Sequence, residues 1–272
     1  SFSSRRRNTR LAILSRGLGD VYKRQATMSA PHGSLSPWIT ATLILLIVAC
    51  GGNPEAEGVT PSQAHMYAHF DRTREVHDAL IERKPAVVRA GADWLATHQD
   101  PGHLPHGSAS LGEAMTVEAV YVRDAADLHE AARATARMAA ACGDCHSTYG
   151  VDPRFMTGAP PSGSGVQAQM ALHYWVSEEM WRGLVGPDDF AWNSGAQALT
   201  EGWLSPREVV ADPASRVEGQ VLLRELYETG TQAKNTANPH ERAELYGDLL
   251  DTCIDCHEMT GAIIGSTAGR VR

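Results

Sequence analysis

The chain has 272 residues and a formal net charge of −8 at pH 7, from 24 Lys and Arg against 32 Asp and Glu. The segment before Cys50 holds 7 of these basic and 1 of these acidic residues, so the remainder carries 17 against 31, a net charge of −14. A surface this acidic repels phosphate backbones, which argues against nucleic acid as a partner and leaves a basic protein partner open.

The first 49 residues are interpreted as sequence that lies outside the fold. Residues 1–27 contain no Met and no long apolar period, so we interpret them as a non-native extension before a start at Met28. The stretch from Trp38 to Ala49 is mostly apolar. It is too short to span about 30 Å of hydrocarbon, but it suits the core of a signal peptide over residues 28–49.

Cys50 follows this apolar stretch directly. The sequence Ile47-Val48-Ala49-Cys50 resembles a bacterial lipobox, whose cysteine is acylated and becomes the mature N-terminus. We therefore predict a lipid anchor at Cys50 and a polar, Gly- and Pro-rich tether over residues 50–60. An uncleaved membrane anchor with an incidental cysteine is the alternative.

Residues 61–150 show a helical rather than an alternating period. Apolar and functional side chains between Met66 and Ile81 recur every three or four residues, and the next such segment begins after Pro85. The Pro- and Gly-rich stretch at 101–107 is a predicted loop. The pattern predicts four helices and no strand, with the helices over residues 66–81, 86–96, 111–123 and from 128 into the motif at Cys142.

The same pattern recurs after a linker over residues 151–165, which is rich in Gly, Pro and Ser. Met66 and His69 recur as Met170 and His173 at an offset of 104 residues. Further along, the offset becomes 111, so the copies differ in length by seven residues. We expect these residues in the middle of the copy, where a loop would tolerate them. The sequence therefore predicts two tandem modules, over residues 61–150 and 166–272.

Near its end, each module carries the pentapeptide Cys-x-x-Cys-His, which is the attachment motif for covalent haem c. The two thiols add across the porphyrin vinyl groups, and the histidine binds the iron from one face. On a helix the three side chains fall at i, i+3 and i+4, so they share one face. The sequence predicts two covalent haem c groups, with both histidines as proximal iron ligands, held by Cys142, Cys145, His146, Cys253, Cys256 and His257.

A tetrathiolate zinc site or a pair of redox disulfides is the alternative use of these cysteines. Zinc ribbons usually separate their Cys pairs by about 15 to 20 residues. Here 107 residues lie between Cys145 and Cys253, and a histidine follows both pairs. Three further histidines, His98, His103 and His106, have no accompanying ligand pattern, and we expect them to lie in a solvated loop.

Four helices joined by short loops predict an up-down-up-down bundle, in which helix 1 runs antiparallel to helix 4. This topology places the start of helix 1 opposite the haem histidine of the same module. The residues so placed are Met66 and His69 in the first module and Met170 and His173 in the second. Methionine is our first expectation for the distal iron ligand, because its thioether raises the reduction potential and suits electron transfer. Histidine ligation, with a lower potential, and an open distal position are the alternatives.

The chain resembles the class II cytochromes c, the cytochrome c-prime group, whose four-helix bundle carries Cys-x-x-Cys-His near the end of the last helix. The resemblance rests on both pentapeptides, on Met66 and Met170, and on Tyr149 three positions after the first histidine. The second copy has Thr260 in place of that tyrosine. The resemblance implies an all-α fold of two tandem four-helix bundles, with iron that binds small gases at an open site or takes a helix-1 methionine.

These features favour a dihaem c-type cytochrome that transfers electrons to periplasmic or membrane redox proteins, lipid-anchored on the periplasmic side of a bacterial membrane. A sensor or scavenger that binds NO or CO at an open haem, and a dihaem peroxidase-type enzyme, are the alternatives. No general acid or base lies beside either pentapeptide, so an electron carrier is favoured over a catalyst. Because each module is small and the chain has only four Phe, we expect the protein without haem to be largely unfolded.

Overall fold

A computed structural model of the chain describes residues 59–153, 155, 158–201, 205–210 and 212–261. The predicted extension, signal peptide and anchor cysteine Cys50 lie outside these residues. Within the described ranges the regular structure is helical and no strand occurs, which confirms the prediction of an all-α protein. In the same ranges, no helix combines the length and the apolar character needed to cross a bilayer.

The helices divide into an N-terminal and a C-terminal half on either side of the linker. The N-terminal half contains α1 (Pro61–Ile81), α2 (Pro85–Thr97), a 3₁₀ turn (Pro101–His103), α3 (Ala109–Asp124) and α4 (Leu128–Tyr149). The C-terminal half contains α5 (Val166–Val185), α6 (Asp189–Glu201), the short α7 (Pro206–Val209), α8 (Arg216–Ala233) and α9 (Pro239–Thr260).

The extra residues of the second copy are spread over several places rather than inserted in one loop. The offset between corresponding helix starts is 104 at α2 and α6, 107 at α3 and α8, and 111 at α4 and α9. Loops and helix ends absorb such small differences at little cost, since they lie at the surface.

The two helices that carry the pentapeptides, α4 and α9, begin and end in the same way. Asp127 caps α4 by accepting a hydrogen bond from the backbone of Glu130, and Asn238 caps α9 by accepting one from His240. Such caps satisfy backbone N–H groups that have no partner inside the helix. Both helices end at a glycine in the left-handed conformation, Gly150 with φ of 62° and Gly261 with φ of 63°.

Consecutive long helices of each half pack side by side, and one close contact recurs in both halves. A Cβ atom added at Gly91 of α2 would lie 2.6 Å from Val76 of α1, and one added at Gly195 of α6 would lie 2.7 Å from Met180 of α5. These four residues are related by the offset of 104. The repeat seen in the sequence is therefore also a repeat of packing.

The two halves meet along α4 and α9, which pack against each other as extensively as neighbouring helices within a half. The buried side chains of α4 are mostly small, and a Cβ atom added at Gly247 of α9 would lie 3.3 Å from Cα of Arg133 on α4. The buried alanines are Ala131, Ala132, Ala134, Ala136, Ala139 and Ala140. All described residues belong to one compact unit.

Candidate functional site

The pentapeptides occupy the last turns of α4 and α9, so each places two cysteines and a histidine on one helical face. All four cysteines, Cys142, Cys145, Cys253 and Cys256, are half-buried free thiols. These four described cysteines therefore form no disulfide in this structure. Each pair remains a set of two neighbouring thiols beside a histidine.

Both pentapeptide histidines are held by the same kind of backbone contact. His146 Nδ1 lies 2.6 Å from the carbonyl oxygen of Val185, and His257 Nδ1 lies 2.8 Å from the carbonyl oxygen of Ile81. Ile81 and Val185 are the last residues of α1 and α5, whose final carbonyls have no partner within their own helix. Each histidine therefore bonds to the first helix of the other half.

This contact fixes the tautomer of each histidine. A carbonyl oxygen can only accept, so Nδ1 must be the donor in both His146 and His257. In the neutral ring the other nitrogen, Nε2, then carries the lone pair. Metal-binding histidines commonly have this arrangement, in which one N–H donates to a backbone carbonyl and the other nitrogen binds the metal.

A glycine in the first pentapeptide allows α4 to reach the end of α5. A Cβ atom added at Gly143 would lie only 2.2 Å from the carbonyl oxygen of Leu184. Any other side chain here would push α4 away from α5 and lengthen the bond between His146 and Val185. The corresponding residue in α9 is Ile254, which is buried in the core.

The thiols are kept in their neutral form by their surroundings. Burial raises the pKa of Cys142 and of Cys253 to about 12, and burial together with Asp255 raises the pKa of Cys256 to about 12. Burial also raises the pKa of Cys145. Nucleophilic or redox cysteines need a lowered pKa, so these thiols lack the character of reactive thiolates.

In the C-terminal half, the predicted distal residue His173 lies near His257, the predicted proximal ligand. Burial, and secondly the neighbouring His257, lower the pKa of His173 to about 4, so its imidazole is neutral at pH 7. The Nε2 atom of His173 is buried and has no hydrogen-bond partner among the described residues. Met170, the other predicted distal residue, is half-buried. His173 therefore has a nitrogen available for a ligand, on the side of α5 that faces the end of α9.

In the N-terminal half, the corresponding residue His69 is already engaged. Its ring is buried, its Nε2 atom lies 3.0 Å from the carbonyl oxygen of His98, and it packs edge-on against Trp94. Burial is the main cause that lowers the pKa of His69. Met66 is half-buried. The two halves thus differ at the position where the sequence predicts equivalence.

A histidine that sequence reasoning missed, His65, lies beside His69 with the ring centroids 4.3 Å apart. Its ring also lies 5.8 Å from that of His103. The loop that contains His103 extends to the end of α4, where the Tyr149 hydroxyl donates to the carbonyl oxygen of His106 at 3.3 Å. The start of α1 and the end of α4 therefore contact the same loop. The side chains of His98 and His106 are exposed, and that of His103 is half-buried.

Buried polar atoms without partners recur at the starts of α1 and α5. They are Nε2 of His65, Oε1 of Gln169 and Nε2 of His173. His65 and Gln169 are related by the offset of 104, which is the signal that could have identified His65 in the sequence. An unpaired buried polar atom costs about 1–3 kcal/mol, so these positions fit a bound group that supplies partners. The donor set fits haem c in the same way, with two thiols and one oriented imidazole in each half.

The tetrathiolate alternative does not fit the observed geometry. Among the residues that the structure describes, the cysteines do not converge on one point, and the group whose atoms could together hold a metal ion is His77, Asp78 and Glu178. Comparison of the chain with protein-family models, with curated proteins and with solved structures found no match. The chemistry of the sites therefore has to be inferred from their own residues.

Proposed function

We propose that the chain is a dihaem c-type cytochrome that carries electrons, in which each half is a four-helix bundle of the class II type. Cys142 and Cys145 would hold one haem by thioether bonds, and Cys253 and Cys256 the other. When bound, haem iron supplies a one-electron couple between the ferric and ferrous states. Covalent attachment keeps such a group in the protein through repeated oxidation and reduction.

The observation that carries this proposal is the matching hydrogen bond of the two pentapeptide histidines. His146 and His257 each donate from Nδ1 to a backbone carbonyl at the end of a helix, at 2.6 Å and 2.8 Å. This bond holds the ring in one orientation and leaves Nε2 as the metal ligand. Two cysteines at i and i+3 before such a histidine have the spacing of a covalent haem attachment motif. Their thiols are neutral, which does not suit catalysis by a thiolate.

The second axial ligand is proposed separately for each half. In the C-terminal half we assign it to His173, because its Nε2 atom is buried, unpaired and close to His257. In the N-terminal half His69 donates to His98, so we keep Met66 or an open position there. Histidine and methionine as sixth ligands favour lower and higher reduction potentials, respectively. The two haems would then differ in potential, which suits directed transfer from one to the other.

We further propose that acylation of Cys50 anchors the protein on the periplasmic side of a bacterial membrane. The net charge of −14 from Cys50 onward supports a redox partner with a basic docking surface, because opposite charges speed encounter at low ionic strength. Replacement Cys50→Ala should release the protein from the membrane fraction and leave its haem content unchanged. Loss of haem in that variant would contradict the assignment of separate roles to the cysteines.

The direct experiment is production of the chain in a host that carries out cytochrome c maturation. Intact-mass analysis and a pyridine haemochrome spectrum should report two covalent haem groups per chain. Replacement of Cys142 and Cys145 by alanine should leave one haem, replacement of Cys253 and Cys256 should leave the other, and the matched exposed variant Ser147→Ala should retain both. A polypeptide mass with no addition would overturn the proposal.

Binding of a small gas at the N-terminal haem is the second function we consider. The observation that favours it is the bond between His69 and His98, which occupies the histidine that could otherwise close that iron. Addition of CO to the reduced protein discriminates between the two functions. Ligation by Met66 predicts an unchanged low-spin spectrum at both haems, whereas an open position that binds gas predicts a shift that saturates at one CO per chain.

A further inference from the structure

A cluster of ionisable side chains lies between the two halves, away from both pentapeptides. His77 of α1 has no exposed surface; its Nδ1 atom is 3.2 Å from Oδ1 of Asp78 and 3.8 Å from Oε1 of Glu178 on α5. One nitrogen and two carboxylate oxygens therefore lie within 4.8 Å of one another. Neither carrying electrons nor attaching haem uses these three residues.

The hydrogen bonds of Tyr246 fix the tautomer of His77. Burial raises the pKa of Tyr246 well above its usual value, so its hydroxyl keeps its proton. That hydroxyl lies 2.9 Å from the carbonyl oxygen of Ser177 and 2.7 Å from Nε2 of His77. The carbonyl can only accept, so it takes the single hydroxyl proton, and Nε2 must donate to the hydroxyl oxygen. The Nδ1 atom of His77 is thus the nitrogen that faces the carboxylates.

A lone pair on Nδ1 that faces two carboxylate oxygens is repulsive unless a cation lies between them. Oε1 of Glu178 is buried and has no hydrogen-bond partner among the residues that the structure describes. The cluster is therefore short of positive charge at its centre. A proton on Nδ1 or a bound metal ion would each supply it.

The outer contacts of the cluster match those of a metal site. The far nitrogen of His77 is held by Tyr246, the second oxygen of Glu178 lies 3.1 Å from Arg74, and Asp78 accepts a hydrogen bond of 3.2 Å from Tyr174. Metal ligands are commonly oriented in this way by a surrounding shell of hydrogen bonds. All three potential ligands are thus held in place by partners outside the centre.

The spacing of the three atoms also suits a small divalent ion. Zinc binds imidazole nitrogen and carboxylate oxygen at about 2.0–2.2 Å in tetrahedral geometry, which places two ligand atoms about 3.3 Å apart. Nδ1 of His77 lies 3.2 Å from Oδ1 of Asp78 and 3.8 Å from Oε1 of Glu178. A movement of a few tenths of an ångström would bring the second distance to the tetrahedral value. We propose that His77, Asp78 and Glu178 form a zinc-type site that links α1 to α5 and leaves one coordination position for water.

The experiment uses the full-length protein carrying both haems. After treatment with excess zinc sulfate and gel filtration, elemental analysis should find one zinc per chain in addition to two irons. Glu178→Gln and the more exposed Asp78→Asn should each lose this zinc while retaining far-UV circular dichroism and haem content. The matched control is Glu75→Gln, which removes an exposed carboxylate on the same helix, α1, outside the cluster. This variant should keep the zinc.

A third variant tests the orientation of His77. Tyr246→Phe retains all three ligands but removes the hydroxyl that holds Nε2, so calorimetric titration should show zinc affinity reduced about 10- to 100-fold. A wild-type protein that holds no stoichiometric zinc, or zinc retained by both Glu178→Gln and Asp78→Asn, would overturn the proposal.

Failure of the proposed haem function would give a different pattern. Zinc bound by unmodified cysteines would survive Glu178→Gln and disappear when Cys253 and Cys256 are replaced by alanine. Zinc at the cluster of His77 would be lost in Glu178→Gln and would remain when Cys253 and Cys256 are replaced by alanine. The two proposals can therefore fail independently.

Discussion

The starts of α1 and α5 carry the same repeated residues, yet their surroundings differ. His69 donates to the carbonyl oxygen of His98 and packs on Trp94, whereas the equivalent His173 keeps a buried, unpaired Nε2 beside His257. The carbonyl oxygen of His98 is the partner of His69 in the N-terminal half, whereas no described residue is a partner of Nε2 of His173 in the C-terminal half. A repeated side chain therefore does not guarantee a repeated role, because nearby loops decide which of its atoms remain available.

Removal of both proposed haem groups should have the largest effect on the stability of the two halves. Replacement of all four pentapeptide cysteines by alanine should leave a largely unfolded chain, because a small core lined with alanine buries little apolar surface without the porphyrin. Far-UV circular dichroism measures the outcome. Native helical content in this variant would contradict the expectation.

The two double-cysteine variants sharpen the same comparison. Loss of Cys253 and Cys256 should lower the melting temperature more than loss of Cys142 and Cys145, because it leaves His173 buried without a partner at a cost of about 1–3 kcal/mol. Thermal melts of the two variants, each carrying one haem, give the difference directly. Equal melting temperatures would show that the asymmetry between the halves has no energetic consequence.

Replacement of the two α1 and α5 histidines tests the assigned distal ligand. His173→Ala should convert one of the two haems to a high-spin form that binds one additional CO per chain, because its sixth ligand is lost. His69→Ala is the matched variant and should leave the spin state of both haems unchanged. Electronic and electron paramagnetic resonance spectra distinguish the two, and the reverse result would exchange the roles of the halves.

A smaller effect is expected where α4 approaches α5. Gly143→Ala should lower the free energy of unfolding by about 1–3 kcal/mol, because its Cβ would overlap the carbonyl oxygen of Leu184. Urea titration measures this, and the exposed Ser147→Ala in the same helix should change it by less than about 0.5 kcal/mol. A neutral Gly143→Ala variant would mean that α4 and α5 can separate without cost.

The smallest effect concerns the contact between α4 and α9. Burial raises the pKa of Asp251, while Arg133 at 2.6 Å and His129 at 3.4 Å oppose that rise. A carboxyl whose folded pKa lies above its unfolded value binds protons more readily in the folded state, so it adds stability as the pH falls through the folded pKa. The stability of wild type relative to Asp251→Asn should therefore increase as the pH falls from neutral toward the ordinary pKa of a carboxyl group, by less than about 1 kcal/mol. An unchanged difference across this range would contradict the assigned direction.

Much of the local structure could be predicted because its causes are local. The period between Met66 and Ile81 predicts α1, and Pro85 marks the start of α2. The pattern predicts a fourth helix from residue 128 into the motif at Cys142, and α4 continues through the motif to Tyr149, where Gly150 ends it. A glycine after the motif was the available signal, since a left-handed cap commonly ends a helix.

The candidate site could be predicted only in part. The spacing of Cys142, Cys145 and His146 identifies the attachment face, because i, i+3 and i+4 meet on any helix. The bond from His69 to the carbonyl oxygen of His98 and the contact between the rings of His65 and His103 have no such signal. They depend on how a loop folds back over α1, which periodicity does not specify.

The sequence by itself determined the helices, their caps and the composition of both pentapeptides, since these follow from neighbours within a few turns. Only the tertiary structure decided that His257 bonds to Ile81, 176 residues earlier, and that Tyr246 bonds to His77, 169 residues earlier. Contacts at such separations arise when α1, α5 and α9 pack together. They depend on the shapes of whole helical faces, so no short sequence pattern records them.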